Sequence, residues 1–173
     1  MRHETQADDI QRFMQRLGGA VREGGRVYFT GGVSAVLHGW REMTVDIDLR
    51  PDPEPAGFFE AIHALKEQLE INVELACPSD FIPELPGWRE RSLFIARHGP
   101  LDFYHYDFYS QALAKIERGY DRDLRDVRQM LDAGLIWPEK LGACFGQIHP
   151  ALLRYPAIDP AAFARKVIVF TAP

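Results

Sequence analysis

Residues 30–50 read TGGVSAVLHGWREMTVDIDLR, and their pattern decides the fold. Upstream of the glycine pair, Val27, Tyr28 and Phe29 form a short apolar run that predicts a buried strand stopping at Thr30. Downstream, 33–40 has the spacing of a helix closed by Gly39. Residues 44–50, TVDIDLR, then alternate strictly. Val45, Ile47 and Leu49 fall on one face, Asp46 and Asp48 on the other, which predicts a strand buried on one side only. Pro51, Pro53 and Pro55 end it. The order is strand, glycine turn, helix, strand.

The rest of the chain extends this unit. Ile10, Phe13, Met14 and Leu17 recur at helical spacing and predict an amphipathic helix over 6–17. Gly18, Gly19, Gly24 and Gly25 bracket a turn-rich stretch after it. A second helix is predicted over 56–69, a strand over 71–76, a proline-rich loop over 78–88, and a hairpin of 92–96 and 101–106 around His98-Gly99-Pro100. Amphipathic segments follow at 108–118, 122–133, 138–148 and 160–170. The expected class is α/β in the mixed (α+β) sense: about five strands flanked by helices, with a helical C-terminal tail. The strands are too few, and lack the βαβ rhythm, for a doubly wound domain. One domain over 1–173 is expected, its core at about 20–107 and its tail at about 108–173.

The composition is that of a globular protein: 46% hydrophobic and 26% charged residues in a chain of 173. The net charge of -5 argues against general binding to nucleic-acid backbones, which relies on clustered Lys and Arg. Cys77 and Cys144 are far apart and have neither disulfide-framework nor zinc spacing, so two free thiols are expected. No apolar run approaches a membrane span. A cytoplasmic protein with no membrane partner is the expectation.

Asp46 and Asp48 lie two apart on a strand, with backbones roughly 7 Å apart, so their carboxylates project from one face. Taken alone they are two solvated acids. A divalent cation turns their mutual repulsion into attraction, and Mg²⁺ prefers carboxylate oxygens while keeping waters and substrate phosphates as further ligands. The upstream context sharpens this reading. Gly31-Gly32 lies at a strand-to-helix turn, where backbone N–H groups bind anions and glycine admits a close phosphate. A phosphate cradle followed after thirteen residues by Asp-x-Asp is the minimum equipment of phosphoryl or nucleotidyl transfer. Glu74, between Val73 and Leu75 on the next predicted strand, is a candidate third carboxylate or an ordinary exposed Glu. Arg41 offers a planar fork for phosphate or for Glu42. The histidines His38, His63, His98, His105 and His149 form no ligand-spaced pair and read as structural. The run Phe103-Tyr104-His105-Tyr106 with Phe108 and Tyr109 reads as sheet core before it reads as a base-stacking platform.

The block GGVSAVLHGWREMTVDIDL resembles the signature of the polymerase-β-like nucleotidyltransferase superfamily: Gly-Gly or Gly-Ser, a spacer, then acid–hydrophobic–acid–hydrophobic. With its Arg41 and Thr44 lead-in, it is most similar to bacterial minimal nucleotidyltransferases, including AbiEii-type toxins of toxin–antitoxin pairs. A weaker likeness runs through LAKIERGYDRDLRDV at 113–127. The resemblance implies that Gly31 and Gly32 hold a nucleoside triphosphate with a hydroxyl from Ser34. It implies that Asp46 and Asp48 bind Mg²⁺ or Mn²⁺ with Glu74 as third acid, a position where the family more often places Asp. Lys115 and Arg118 would face the triphosphate, and Asp123 and Asp126 would match an acidic motif. For these helix residues the alternative is a solvated face with i,i+4 pairing.

The leading expectation is an enzyme that moves a nucleotidyl group from an NTP to RNA (a tRNA end included), a protein or a small molecule, with an antitoxin protein as a further expected partner. Arg118, Arg122 and Arg125 fall at helical spacing and would supply a basic stripe for tRNA. The alternative is a nucleotide-binding or regulatory module of the same fold, without turnover. A metal-dependent nuclease ranks below both, because Glu74 is followed by Leu75-Ala76 and not by a Lys two residues on.

Overall fold

The structure is a computed structural model that describes residues 3–173. The chain divides into two compact units. One is the described part of Met1–Cys77 together with Ser92–Tyr106, and the other is Pro78–Arg91 with Asp107–Pro173. The polypeptide passes between them three times, so neither is one continuous stretch.

The first unit is a five-stranded mixed sheet with helices. Its elements are α1 (Ala7–Ala20), β1 (Gly25–Thr30), α2 (Gly32–His38), β2 (Asp46–Pro51), α3 (Phe58–Gln68), β3 (Asn72–Leu75), β4 (Leu93–His98) and β5 (Leu101–His105). The strand order is β3-β2-β1-β5-β4. β1 pairs antiparallel with β2 and parallel with β5, β2 parallel with β3, and β4 antiparallel with β5. One face of the sheet gives Val27, Phe29, Ile47, Leu49, Val73, Leu101 and Phe103 to a core with Ile10, Phe13, Met14 and Leu17 of α1 and Phe58, Ile62 and Leu65 of α3. The period-2 alternation of β2 is thereby explained: Ile47 and Leu49 are fully buried, while Asp46, Asp48 and Arg50 stay partly exposed on the other face. Fully burying one such aliphatic side chain is worth about 1.5–3 kcal/mol, so a one-residue slip of β2 is strongly disfavoured.

Two local expectations are corrected. Gly18 and Gly19 do not open a turn, because α1 continues to Ala20. Gly18 is needed within the helix, where a Cβ would lie 2.6 Å from the carbonyl carbon of His98 on β4. The strand predicted over 71–76 is shorter, Asn72–Leu75, and Leu75 at its end is 53% exposed. The aromatic run behaves as core: Phe103 stacks on Phe29, and Tyr104 on Tyr28.

The second unit is helical: α4 (Trp88–Arg91), α5 (Phe108–Arg118), α6 (Asp121–Asp132), α7 (Pro138–Ile148) and α8 (Pro160–Thr171), with 3₁₀ turns at Pro78–Asp80 and His149–Arg154. α5 is started by Asp107, whose carboxylate accepts from the Tyr109 and Ser110 amides and from the Ser110 hydroxyl. Arg91 grips the same carboxylate with two hydrogen bonds, Nε to Oδ1 at 3.1 Å and Nη2 to Oδ2 at 2.8 Å. The sequence reading missed this tie, which joins residues sixteen apart. Cys77 and Cys144 are both buried, and neither is in a disulfide among the described residues. Among the described residues no helix is long and apolar enough to cross a membrane.

Candidate functional site

The strand directions of the first unit assemble the site. β1 and β2 are antiparallel with Thr30 opposite Asp48, so the end of β1 lies beside the start of β2. Gly31 follows Thr30 with φ 66° and ψ -133°, a backbone region open to glycine and strained for other residues. A Cβ at Gly31 would sit 2.9 Å from Asp48 Oδ2. A Cβ at Gly32 would sit 2.8 Å from Thr44 Cβ and 3.4 Å from Arg41 Nη1. The glycine pair is therefore required by the close approach of Asp48, Thr44 and Arg41, apart from any ligand. Thr44 is fixed by paired backbone hydrogen bonds with Thr5, and its hydroxyl donates to the Asp46 carbonyl at 3.1 Å.

β3 runs parallel to β2 in a register that aligns Asn72 with Asp46, Val73 with Ile47 and Glu74 with Asp48. Registered residues on neighbouring strands share a face, so Asp46, Asp48, Asn72 and Glu74 lie on one side of the sheet. Asn72 Nδ2 donates to Asp46 Oδ1 and, at 3.3 Å, to Glu74 Oε1. Asn72 escaped the sequence reading. Its signal was present: Asn-Val-Glu repeats the polar–apolar–polar pattern of Asp-Ile-Asp one strand away.

Of the residues singled out from sequence, Gly31, Gly32, Arg41, Asp46, Asp48 and Glu74 come together here. Ser34 lies three residues on from Gly31, within α2. It is fully buried in α2, with its hydroxyl 3.0 Å from His105 Nδ1 at the end of β5. The ring of His105 lies 4.5 Å from that of His38, which stacks in turn on Trp40. Burial, aided by the neighbouring His38, pushes the His105 pKa down to about 3, and burial also lowers that of His38. Both imidazoles are neutral at physiological pH, and their contact ties the end of α2 to the end of β5.

Lys115, Arg118, Asp123 and Asp126 lie in the second unit and bind one another. Lys115 Nζ meets Asp126 Oδ2 at 2.8 Å and Asp123 Oδ1 at 3.5 Å, and Arg118 Nη2 donates to Asp123 Oδ1 at 2.9 Å. The expected solvated face with pairing along one helix is replaced by a cluster across α5 and α6, with Lys115, Asp123 and Asp126 all buried. Arg122 and Arg125 remain exposed on α6.

The chemistry of the donor set suits a hard cation at Asp46 and Asp48, which offer two carboxylates on one strand face. Among the described residues, no group of three or more His, Cys, Asp and Glu side chains is gathered closely enough to hold a metal. Asp46 and Asp48 would supply two carboxylates to such an ion, and water or phosphate oxygens would have to complete its shell.

A family described as "Nucleotidyltransferase of unknown function (DUF6036)" matches residues 9–143, the whole sheet and the helices through most of α7. The chain belongs to this family. Comparison with curated proteins and with solved structures finds no match. Membership of this DUF6036 chain in a nucleotidyltransferase family of unknown function implies a nucleotide as the class of substrate. It names neither the nucleotide nor the acceptor.

Proposed function

We propose that this DUF6036 chain is a metal-dependent nucleotidyltransferase that moves a nucleotidyl group from an NTP to an acceptor hydroxyl. The observation that carries the reading is the juxtaposition of Gly31 with Asp48, on the face that also presents Asp46. Gly31 and Gly32 let the backbone of the loop lie against Asp48, Thr44 and Arg41, which would set a phosphate held by that backbone beside the two carboxylates. Arg41, with a guanidinium nitrogen close to Gly32, supplies positive charge to that loop. Asp46 and Asp48 would hold Mg²⁺ or Mn²⁺, which would supply Lewis-acid stabilisation of the charge on the phosphates. Ser34, through His105, holds the first turn of α2 in place. Glu74 stands at the margin of the site. Lys115, Arg118 and Asp123 enter the reading as the ties between α5 and α6.

The likeness of R-x-x-T-x-D-I-D-L to AbiEii-type enzymes supports a toxin role, with tRNA as an acceptor and an antitoxin protein as partner. Incubation with labelled NTPs, Mg²⁺ or Mn²⁺ and pooled RNA, protein and small-molecule acceptors tests the activity. Label is expected to transfer, and transfer is expected to vanish in Asp46→Ala. The failure of three acids to gather favours one second reading, a nucleotide-binding module without turnover. Metal and NTP binding with no transfer to any acceptor is the outcome that selects it.

A further inference from the structure

We propose that Asn72 is a positioning residue of the metal site, holding Asp46 in place and restraining Glu74. The inference rests on the reading of Asp46 and Asp48 as the cation ligands. Asp46 and Glu74 are diagonal neighbours across adjacent parallel strands, at a separation where like charges repel. Asn72 stands between them, paired with Asp46 in register and two residues before Glu74 on the same face. Its amide nitrogen carries two N–H donors, which allows it to serve both carboxylates at once. It donates to Asp46 Oδ1 and to Glu74 Oε1.

Two consequences follow. Asp46 is oriented through one carboxylate oxygen before any cation arrives, and Glu74 is drawn to the amide rather than to the aspartates. This accounts for the absence of a three-acid group on a face that bears three acids. Three substitutions at position 72 remove this arrangement in different ways. Alanine removes the donors, serine has a single short one, and aspartate sets a third carboxylate against the other two.

Mn²⁺ titration followed by electron paramagnetic resonance of the free ion, without nucleotide, tests the proposal on the full chain. The variants are Asn72→Ala, Asn72→Asp and Asp48→Ala, each also melted in EDTA and in Mn²⁺. Loss of an outer partner of a metal ligand weakens affinity by about 10–100-fold, and that loss is expected for Asn72→Ala with the fold retained in EDTA. Asn72→Asp is expected to bind Mn²⁺ at least as tightly as the parent. It should melt lower in EDTA and gain more than the parent on adding Mn²⁺, a reversal that a purely structural asparagine does not give. Should Asn72→Ala fail to fold, Asn72→Ser takes its place under the same criterion. Parental affinity in folded Asn72→Ala, or in Asn72→Ser where that variant takes its place, with affinity lost in Asp48→Ala, overturns the role of Asn72 alone. A parent that binds no Mn²⁺, or binds it unchanged in Asp48→Ala, overturns the metal site and this inference with it.

Discussion

Gly31 carries two constraints at once, a backbone at φ 66° and ψ -133° and a carboxylate oxygen 2.9 Å from the place of its missing Cβ. Alanine there adds strain of about 1–3 kcal/mol and pushes on Asp48. Gly31→Ala is therefore expected to lower stability by that amount in urea titration and to weaken Mn²⁺ binding in the same protein. A variant as stable as the parent and with parental Mn²⁺ affinity contradicts the packing described here. His105 makes a prediction of a different kind. Its imidazole titrates near 3 in the fold, whereas an unperturbed one titrates near 6.5. Between those values the unfolded chain binds a proton that the folded chain does not, so stability falls as pH drops from about 6.5 toward about 3. The slope reaches about 1.4 kcal/mol per pH unit. His105→Gln lacks this penalty. The stability difference between parent and His105→Gln should therefore shift by about 2 kcal/mol against the parent between pH 7 and pH 5, where the other groups cancel in the comparison. A difference that stays constant with pH refutes the buried neutral histidine.

The helices α5 and α6 are joined by charges that their own sequences misrepresent. Lys115, Arg118, Asp123 and Asp126 have the spacing of a solvated face, yet Lys115 reaches eleven residues along to Asp126. Removing one partner of a buried pair leaves a charge uncompensated, at a cost of about 3–5 kcal/mol, whereas replacing both by apolar groups is often neutral. Lys115→Ala should lose about that much stability in urea titration. The double variant Lys115→Met with Asp126→Leu should lose less than half as much, because Arg118 still neutralises Asp123. The same double variant asks whether Lys115 contacts nucleotide: a folded protein with parental NTP affinity assigns the lysine to structure alone. The individual elements were legible because burial imposes a local period. Ile10, Phe13, Met14 and Leu17 announced α1, and Asp46-Ile47-Asp48 announced a one-sided strand. What escaped was set by neighbours distant in sequence. The need for glycine at position 18 is set by His98, and one partner of Ser34 is seventy-one residues away. Asn72 acquires its role only through a register that no local pattern fixes. The glycine loop and the aspartates were readable as a unit because one antiparallel pairing, β1 with β2, brings them together.

Charge is divided unevenly between the two units. The first holds nine Lys and Arg against fourteen Asp and Glu, and the second holds eleven of each, so the entire net charge of -5 belongs to the unit with the candidate site. An acidic surround favours a divalent cation and opposes a polyanion such as RNA, so any RNA acceptor would be gripped by something other than bulk electrostatics. The strand order has a further consequence for the chain as it leaves the ribosome. β5 sits beside β1 in the middle of the sheet, but it is made more than seventy residues after it. Until residues 101–105 emerge, β1 presents an open hydrogen-bonding edge over Gly25–Thr30, rich in apolar side chains, which invites another nascent chain to pair there. A fragment ending at Cys77 contains every candidate ligand and still lacks the strand that seals that edge. It is expected to sediment as aggregate, whereas the same fragment supplied in trans with a peptide of residues 92–106 is expected to stay in the supernatant. The candidate site is thus encoded early and stabilised late, and synthesis must carry an unsealed sheet through the interval.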